Sequence, residues 1–497
     1  MNNLVISADC PSCGAPLDFT EGSNAITCKS CKSNLLVTGK KQVLSYFVSP
    51  NLDAPIAMAK AVMAQRDRGF DGFSNKKAQL YFIPYYRMTG QDLGIEKAPK
   101  PAPEQEDGGA EGIGLSDFYT PPDKHGRGEL FNIKAAVTIT SFDKAFRNGP
   151  VVNQGRLDGA AAKIVMFKTT PYDKGEVVLN ERYVEKSFLA CNLSGLGIYS
   201  LGVRPSVLRL ELFRPEALKA LGKIVDPSLS IEEAEKTGIK TLDDSNLLTR
   251  LVIGKVLSII YFPFWVVEME SRGQCLLTLI DAVSQSVIKA DAPIQIYDIL
   301  NDELKSEPVT VGFRPLTCPN CGWDFPVKED DTVFFCSSCS KAWRLEGSGL
   351  NETGCRIAEW QWPGGGGDPM RYLPFWVFQK KGQDGNPLKF YVPVFRYRRP
   401  KLLVDMAVRF TRGQPAYSFE DAQGKDLAGC YYDEEEAGLI AQLTQSIVEC
   451  RRAEDFKAAG ACPMFTDATL TWFPFRVQGE YLMAPFGGPS IPKNLLL

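Results

Sequence analysis

Eight cysteines fall into two copies of one pattern, Cys10, Cys13, Cys28, Cys31 and Cys318, Cys321, Cys336, Cys339, each reading CxxC, fourteen residues, CxxC. Each CxxC closes a tight turn that can aim two thiolates at one ion, while the residues between run out and back as a short hairpin. Pro11 and Ser12 separate the first ligand pair and Gly14 follows it; Pro319, Asn320 and Gly322 fill the same places in the second copy. Proline presets such a turn and glycine accepts the backbone angles that end it. The same spacing could serve a redox dithiol or a disulfide. With no secretory leader in view, paired CxxC motifs favour metal. Four thiolates also close a tetrahedral sphere and leave no place for water, so the expectation is two structural Zn2+ ions per chain.

Other chemistry finds little to work with. The chain has one histidine, His125, in a stretch rich in proline, glycine and charge, which removes most Ser-His-Asp and Cys-His designs. Gly39-Lys40 and Gly254-Lys255 lack the upstream glycine and following hydroxyl of a phosphate-binding loop, and the glycines at 364–367 read as a connection. The run Asp433-Glu434-Glu435-Glu436 suits the first turn of a helix, where it complements the dipole. Six further cysteines, at 191, 275, 355, 430, 450 and 462, have no paired spacing and read as small buried residues. A non-enzyme is expected.

The elements that must carry the ribbons announce themselves by a second repetition. Five times the chain writes a ring, one residue, proline and two mostly aromatic residues: Phe82-Ile83-Pro84-Tyr85-Tyr86, Tyr261-Phe262-Pro263-Phe264-Trp265, Tyr372-Leu373-Pro374-Phe375-Trp376, Tyr391-Val392-Pro393-Val394-Phe395 and Trp472-Phe473-Pro474-Phe475-Arg476. Rings and β-branched residues favour strands and proline lacks a ladder donor, so each motif is expected on an edge strand or at a strand entry. The rings could pack a sheet core, or stand exposed to stack bases or grip a peptide. Alternating Leu208, Leu210 and Leu212, and the segments 279–283 and 418–422, also read as strands. Helices are expected after Pro55, Pro215 and Pro400, from the capping box of Ser230 and Glu233, from Asp244 or Ser245 toward Ile260, and over 433–455.

The fold class that follows is α+β: two four-cysteine zinc ribbons, each followed by a mainly antiparallel β-rich domain with covering helices, in approximate internal duplication. Ribbon one covers 1–40, a β-rich domain with an excursion at 96–129 covers 41–312, ribbon two covers 313–347, and a smaller β-rich domain covers 348–497.

With 44% hydrophobic and 23% charged residues the chain is ordinary globular protein, and a net charge of −3 argues against coating nucleic acid by bulk electrostatics. The most apolar stretch, 247–267, contains Arg250, Lys255 and Pro263 and is not expected to span a bilayer; a cytoplasmic location is the default expectation.

The segments CPSCGAPLDF and CPNCGWDF resemble the TFIIB-type or rubredoxin-like zinc ribbons of many bacterial proteins. A ribbon followed by YLPFW or YFPFW is similar to a bacterial group sometimes labelled after the primosomal helicase, some members of which carry membrane helices and lie beside genes for membrane-stress or flotillin-like proteins. The ribbon likeness covers about seventy residues and the PFW likeness about half the chain. Only the eight zinc ligands carry over, since this chain has neither Walker motifs nor a membrane span.

Two functions are in contention. The first is a non-catalytic interaction or scaffold protein, an assembly or adaptor subunit with protein partners or self-assembly, in connection with membrane-associated complexes. The second is binding of single-stranded DNA or RNA. Arg371, Lys380, Lys381, Lys389, Arg396, Arg398, Arg399 and Lys401 stand against one acid, Asp384, and interleave with Tyr372, Phe375, Trp376, Phe390, Tyr391, Phe395 and Tyr397. Such a mixture can contact phosphates and stack bases, or meet anionic headgroups in peripheral membrane association. Basic residues on alternating strands read first as the solvated face of a sheet, so the scaffold reading leads.

Overall fold

A computed structural model of the 497-residue chain describes residues 5–38, 43–98, 169–191, 209–240, 247–301, 304–305, 311–326, 328–347, 349–360, 362, 369–381, 387–458, 465–486 and 490–496. The expected excursion at 96–129 lies outside these from residue 99 onward, as do His125, Cys462 and the glycines at 364–367.

The first part runs β1 Val5–Asp9, β2 Pro16–Thr20, β3 Ala25–Thr27, β4 Asn34–Thr38, β5 Leu44–Phe47, α1 Ala54–Asp67, β6 Ser74–Lys97, β7 Val177–Leu189, β8 Arg209–Leu212, α2 Pro215–Leu221, β9 Lys223–Ile224 and α3 Ile231–Lys240. It continues with β10 Leu247–Ser271, β11 Gln274–Asp281, β12 Val287–Lys289 and α4 Ile296–Leu300. The second part holds β13 Gly312–Pro315, β14 Val333–Cys336, β15 Lys341–Glu346, β16 Gly349–Thr353, β17 Cys355–Glu359, β18 Met370–Lys381 and β19 Pro387–Pro393. After these come α5 Pro400–Gly413, β20 Ser418–Glu420, α6 Glu434–Glu449, α7 Asp455–Ala458, β21 Asp467–Gln478, β22 Tyr481–Met483 and β23 Ser490–Pro492. The protein is thus mixed and β-rich, with seven helices among the described residues.

Two long strands organise each large sheet. In the ten-stranded sheet β10 lies along β6 for nearly its whole length, and its other edge is shared by β5, in parallel, and β11. In the seven-stranded sheet β21 lies along β18, and its other edge is shared by β17, in parallel, and β22. The registers agree residue for residue. Pro84 faces Tyr261 and Pro263 faces Phe82, while Pro374 faces Trp472 and Pro474 faces Tyr372. Phe47 lies beside Tyr261 and opposite Glu211; Ile357 lies beside Trp472 and opposite Glu420. The Ala190 and Val394 N–H groups donate to the carbonyls of Pro84 and Pro374.

Prolines 84, 263, 374 and 474 therefore stand inside central strands, not on edge strands or strand entries as their chemistry suggested. The reason lies one residue away. In an antiparallel ladder a residue's N and O face the same neighbour. Pro84 O accepts from Ala190, just past the last β6–β7 pair, Tyr85 with Leu189. Pro263 and Pro374 occupy the same place, just past Phe264–Asp281 and Phe375–Pro393. The carbonyl opposite each of these three missing donors is taken from elsewhere, that of Ala190 by Ser228 and Leu229, that of Ala282 by Asn51 and that of Val394 by Tyr431 and Tyr432, so no acceptor is orphaned. The motif rings are buried: Phe82, Tyr85, Tyr261, Phe262, Phe375, Trp376, Tyr391 and Trp472 all lie in the core.

The helix expected from Asp244 or Ser245 to Ile260 is instead most of β10. Its apolar spacing fits either period, and pairing with β6 along its length decides for strand. Other starts stand as read. Ser230 and Glu233 form a reciprocal capping box, Pro215 and Pro400 open helices, and the Asp433 carboxylate accepts the Glu436 N–H at the head of α6.

Two cores cover the opposite faces of the near half of the first sheet. The far half, through Leu93, Ile95, Val177, Leu179, Leu248 and Ile253, joins the core of the second part. Helices α5 and α6 lie between the two sheets, touching β19 on one side and β7 or β10 on the other. Among the described residues no helix is long and apolar enough to cross a membrane.

Candidate metal centres and the cavity between the halves

Each set of four cysteines converges, with all four sulfurs within 4.8 Å of one another. The Sγ pairs Cys10–Cys31 and Cys13–Cys28 lie 3.8 Å apart, Cys318–Cys339 3.7 Å and Cys321–Cys336 3.5 Å. A tetrahedron with metal–sulfur bonds of about 2.3 Å has sulfur–sulfur edges of roughly 3.8 Å. A disulfide would need sulfurs about 2 Å apart. The donor set therefore fits a four-coordinate thiophilic ion, and no fifth or open position is provided.

The backbone builds the four knuckles alike. Gly14, Lys32, Gly322 and Ser340, each one residue past a CxxC, all have positive φ, at 72°, 63°, 76° and 54°. The Gly14, Lys32 and Gly322 N–H groups close their turns onto the carbonyls of Cys10, Cys28 and Cys318. The turns also tune the sulfurs. The Ser33 hydroxyl and N–H draw Cys31 down to about 6. Burial opposes ionisation of Cys318, yet the Cys321 and Asn320 N–H groups still bring it to about 7. In the same clusters Cys13 is pushed up to about 11 and Cys336 and Cys339 are raised, as expected where thiols crowd one another and cannot all ionise without a cation among them.

The two clusters belong to one block. Strand β13, which leads into the second cluster, pairs with β4 of the first, matching Gly312 to Thr38 and Pro315 to Leu35. Leu316 N–H donates to Asn34 O at 2.9 Å, the Asn34 amide to Phe325 O at 3.2 Å, and both Asn24 and Ala25 N–H groups to Glu329 O. Ala25 and Leu36 share a small core with Leu316, Phe325, Phe334 and Trp343. On its other side the first ribbon sends β1 and β2 into the ten-stranded sheet.

The basic stretch is dispersed. Lys380 pairs with Glu449 at 3.0 Å, Arg396 with Asp330, and Arg399 with Glu181 at 3.5 Å. Lys389 is half-buried with its ammonium over the Tyr417 ring, and the Lys401 N–H donates to Glu181. Arg371 is half-buried, and Lys381 and Arg398 are exposed. The interleaved rings of Tyr372, Phe375, Trp376, Phe390, Tyr391, Phe395 and Tyr397 are all buried. Of the unpaired-spacing cysteines, Cys191, Cys430 and Cys450 are buried, Cys355 is half-buried and Cys275 is exposed.

A cavity of about 1000 Å³ lies where the first sheet, both ribbons and the second part meet. One wall is β6 and β10, with Arg87, Thr89 and Ser258; the ribbons bring Glu21 and Asp330; the second part brings Arg396, Tyr431 and the head of α6. Arg87 is 2% exposed and held by Glu21 and by Glu185 at 2.8 Å. Glu436 receives the Gly254 N–H at 2.6 Å, and burial, with Asp433 beside it, raises it to about 7. Sequence reasoning missed these residues. The signal was present: Arg87 and Arg396 each follow a ring-and-proline motif directly, a charge placed against a run of otherwise buried residues. Comparison with protein-family models, curated proteins and solved structures returned no match to this chain.

Proposed function

We propose that this chain is a non-catalytic scaffold, an assembly or adaptor subunit made of two zinc-stapled ribbon-plus-sheet units related by internal duplication. The observation that carries the reading is the joint block of two closed four-cysteine clusters, tied to each other by β13 and β4 and set between two large sheets. A closed thiolate sphere serves stability, not water activation, and zinc is the ion it suits without redox chemistry. The matched registers of the two sheets support duplication. Recognition is assigned to the surface of the block: Trp323, two residues past Cys321 in the second cluster, is 66% exposed, and tryptophan is enriched in interface hot spots. The connection with membrane-associated complexes rests on the sequence resemblance.

The test has two parts. Elemental analysis of purified protein should give two zinc ions per chain; iron in their place, or no metal, refutes the stapled scaffold. Isolation at native expression level should yield a stoichiometric protein partner or a self-assembly that survives nuclease and is weakened by Trp323→Ala. A monomer without a stoichiometric partner refutes the adaptor role. The nucleic-acid reading has less support, because its rings are buried and three of its eight basic side chains are in ion pairs. It requires salt-dependent binding of a single-stranded oligonucleotide that is lost in the triple variant Arg396→Ala, Arg398→Ala, Arg399→Ala.

A further inference from the structure

The two large sheets share their registers but not their edges. In the first, β8 is flanked on its outer side by the ribbon strand β1, which runs parallel to it and pairs Val5 with Arg209, Ile6 with Leu210 and Ser7 with Glu211. In the second, β20 takes the place of β8. Glu211 lies opposite Phe47 and Glu420 opposite Ile357, so Leu210 and Phe419, each one residue earlier, hold the same position. Among the described residues no strand lies on the outer side of β20. The second ribbon does have a counterpart of β1: the bridge Thr317–Asp324 stands to Cys318 and Cys321 as the pair Asp9–Pro16 stands to Cys10 and Cys13. Its leading strand is β13, and β13 is drawn away to β4.

Leu210 is fully buried in one core with Ile6, whereas Phe419 is 47% exposed. An edge strand presents a row of N–H and C=O groups able to pair with another chain. The charges beside it say what kind of chain. In the first sheet Arg209 and Arg214 hold the ribbon hairpin by its acids, Asp18 at 3.3 Å and Asp9 at 2.8 Å. Beside β20 the Arg356 guanidinium lies over the Phe419 ring at 4.7 Å, and the Lys389 ammonium over the adjoining Tyr417 ring at 5.4 Å. Among the described residues neither cation has an acidic partner. The acids of β17 and β20 are engaged elsewhere, Glu359 by the Ser418 hydroxyl at 2.7 Å and Glu420 by Lys425 at 2.7 Å and the Tyr372 hydroxyl at 2.8 Å. Burial and the Arg356 charge push the Lys389 ammonium down, as befits two cations that share a place without an acid.

We infer that the open edge of β20 adds an extended strand of a partner protein, one with an apolar side chain set beside Phe419 and an acidic side chain within reach of Arg356 and Lys389. Main-chain hydrogen bonds supply the affinity and these side chains the choice of sequence. A second copy of this chain is the poorer occupant, because pairing β20 with β20 about a two-fold axis sets the same two cations against themselves. That a partner exists rests on the adaptor reading; the edge gives it a second point of attachment besides Trp323.

The experiment is fluorescence anisotropy of a labelled, capped octapeptide that repeats valine-threonine-glutamate-threonine, so that one face of the strand carries apolar and acidic side chains. It is titrated with the full-length, metal-loaded protein at 0.15 M NaCl. Saturable binding is expected, with none for the same peptide N-methylated throughout, which cannot form a ladder, and none for the peptide with lysine in place of glutamate. Phe419→Ser and Arg356→Glu, both on exposed side chains, should each weaken binding at least about threefold, and Arg356→Glu should strengthen binding of the lysine peptide. Glu216→Gln, on an exposed side chain of α2, should leave it unchanged. Circular dichroism checks folding; if a variant does not fold, the N-methylated and lysine peptides decide. Absence of saturable binding, equal binding of the N-methylated or lysine peptide, or wild-type affinity in both variants overturns the proposal. Failed peptide binding beside a stoichiometric native partner rejects the edge and leaves the adaptor reading standing, while peptide binding without a native partner does the reverse.

Discussion

At the scale of single residues, two acids hold protons that their unfolded forms would lose. Burial raises Glu436 to about 7, with the Asp433 charge adding to it, and burial raises Asp331 to about 7. The sign follows from proton counts. Between the ordinary carboxylate range and pH 7 the folded state binds more protons than the unfolded one, so stability falls as pH rises through this window and the penalty is complete above it. For Glu436 the penalty amounts to about 3 kcal/mol at most. Glu436→Gln keeps an oxygen for the Gly254 N–H and removes the titration. The variant should gain about 1–3 kcal/mol over wild type at pH 8 and little at pH 5, read from urea unfolding at both values. An equal difference at the two pH values would show that the carboxyl is not buried as described. Neither acid was legible in the sequence. The eight cysteines were, because their chemistry is local to a turn, whereas the environments of Glu436 and Asp331 are made by residues distant in sequence, such as Gly254 and Gly429.

At the scale of elements, what could be read depended on how far each signal reaches. Helix starts marked by Pro215, Pro400, Ser230 and Asp433 are settled within four residues, and they stand where the chain placed them. Leu247–Ser271 has no such marker, and its leucines and β-branched residues fit both periods until β6 supplies a partner. The ring-and-proline motifs identified strands correctly, and Pro393 closes the edge strand β19 as expected, but the other four prolines stand in central strands, because the carbonyl opposite a missing donor can be satisfied from another segment. Gly254 marks the one irregularity that faces the cavity. It falls in the register shift between Ile253 and Val256 and has φ +58°, which directs its N–H to Glu436. A side chain there is strained whatever the space around it. Gly254→Ala should lower stability by about 1–2 kcal/mol in urea unfolding. Gly354→Ala, with open space at its Cβ and no positive φ, should stay within about 0.5 kcal/mol of wild type. Equal effects at the two positions would remove the bulge as a determinant of the cavity wall.

At the scale of the whole molecule, the eight ligands looked from their spacing like two separate modules, and the fold joins them. The first ribbon is open on one side until β13 completes it, and β13 is the approach to the second cluster. Their shared core is small, built from Ala25 and Leu36 on one side and Leu316, Phe325, Phe334 and Trp343 on the other. The first ribbon also buries Leu17, Phe19, Ile26, Leu35 and Val37 in the core of the ten-stranded sheet, so the second cluster would depend more on an ion for folding, and an ion at either cluster would support the strand its neighbour needs. Metal binding at the two sites should therefore be coupled. Cys13→Ser with Cys31→Ser removes the two exposed ligands of the first site and leaves the buried Cys10 and Cys28 in the core. In that variant, competition with a metallochromic chelator at equilibrium should show the second site binding zinc at least about tenfold more weakly than in wild type, a coupling of about 1.4 kcal/mol. The reciprocal pair, Cys321→Ser with Cys339→Ser, should loosen the first site in the same direction, because linkage between binding equilibria is mutual. Wild-type zinc affinity at the remaining site in both variants would mean that β13 and β4 join two independent clusters, and the joint block could not be what holds the halves together.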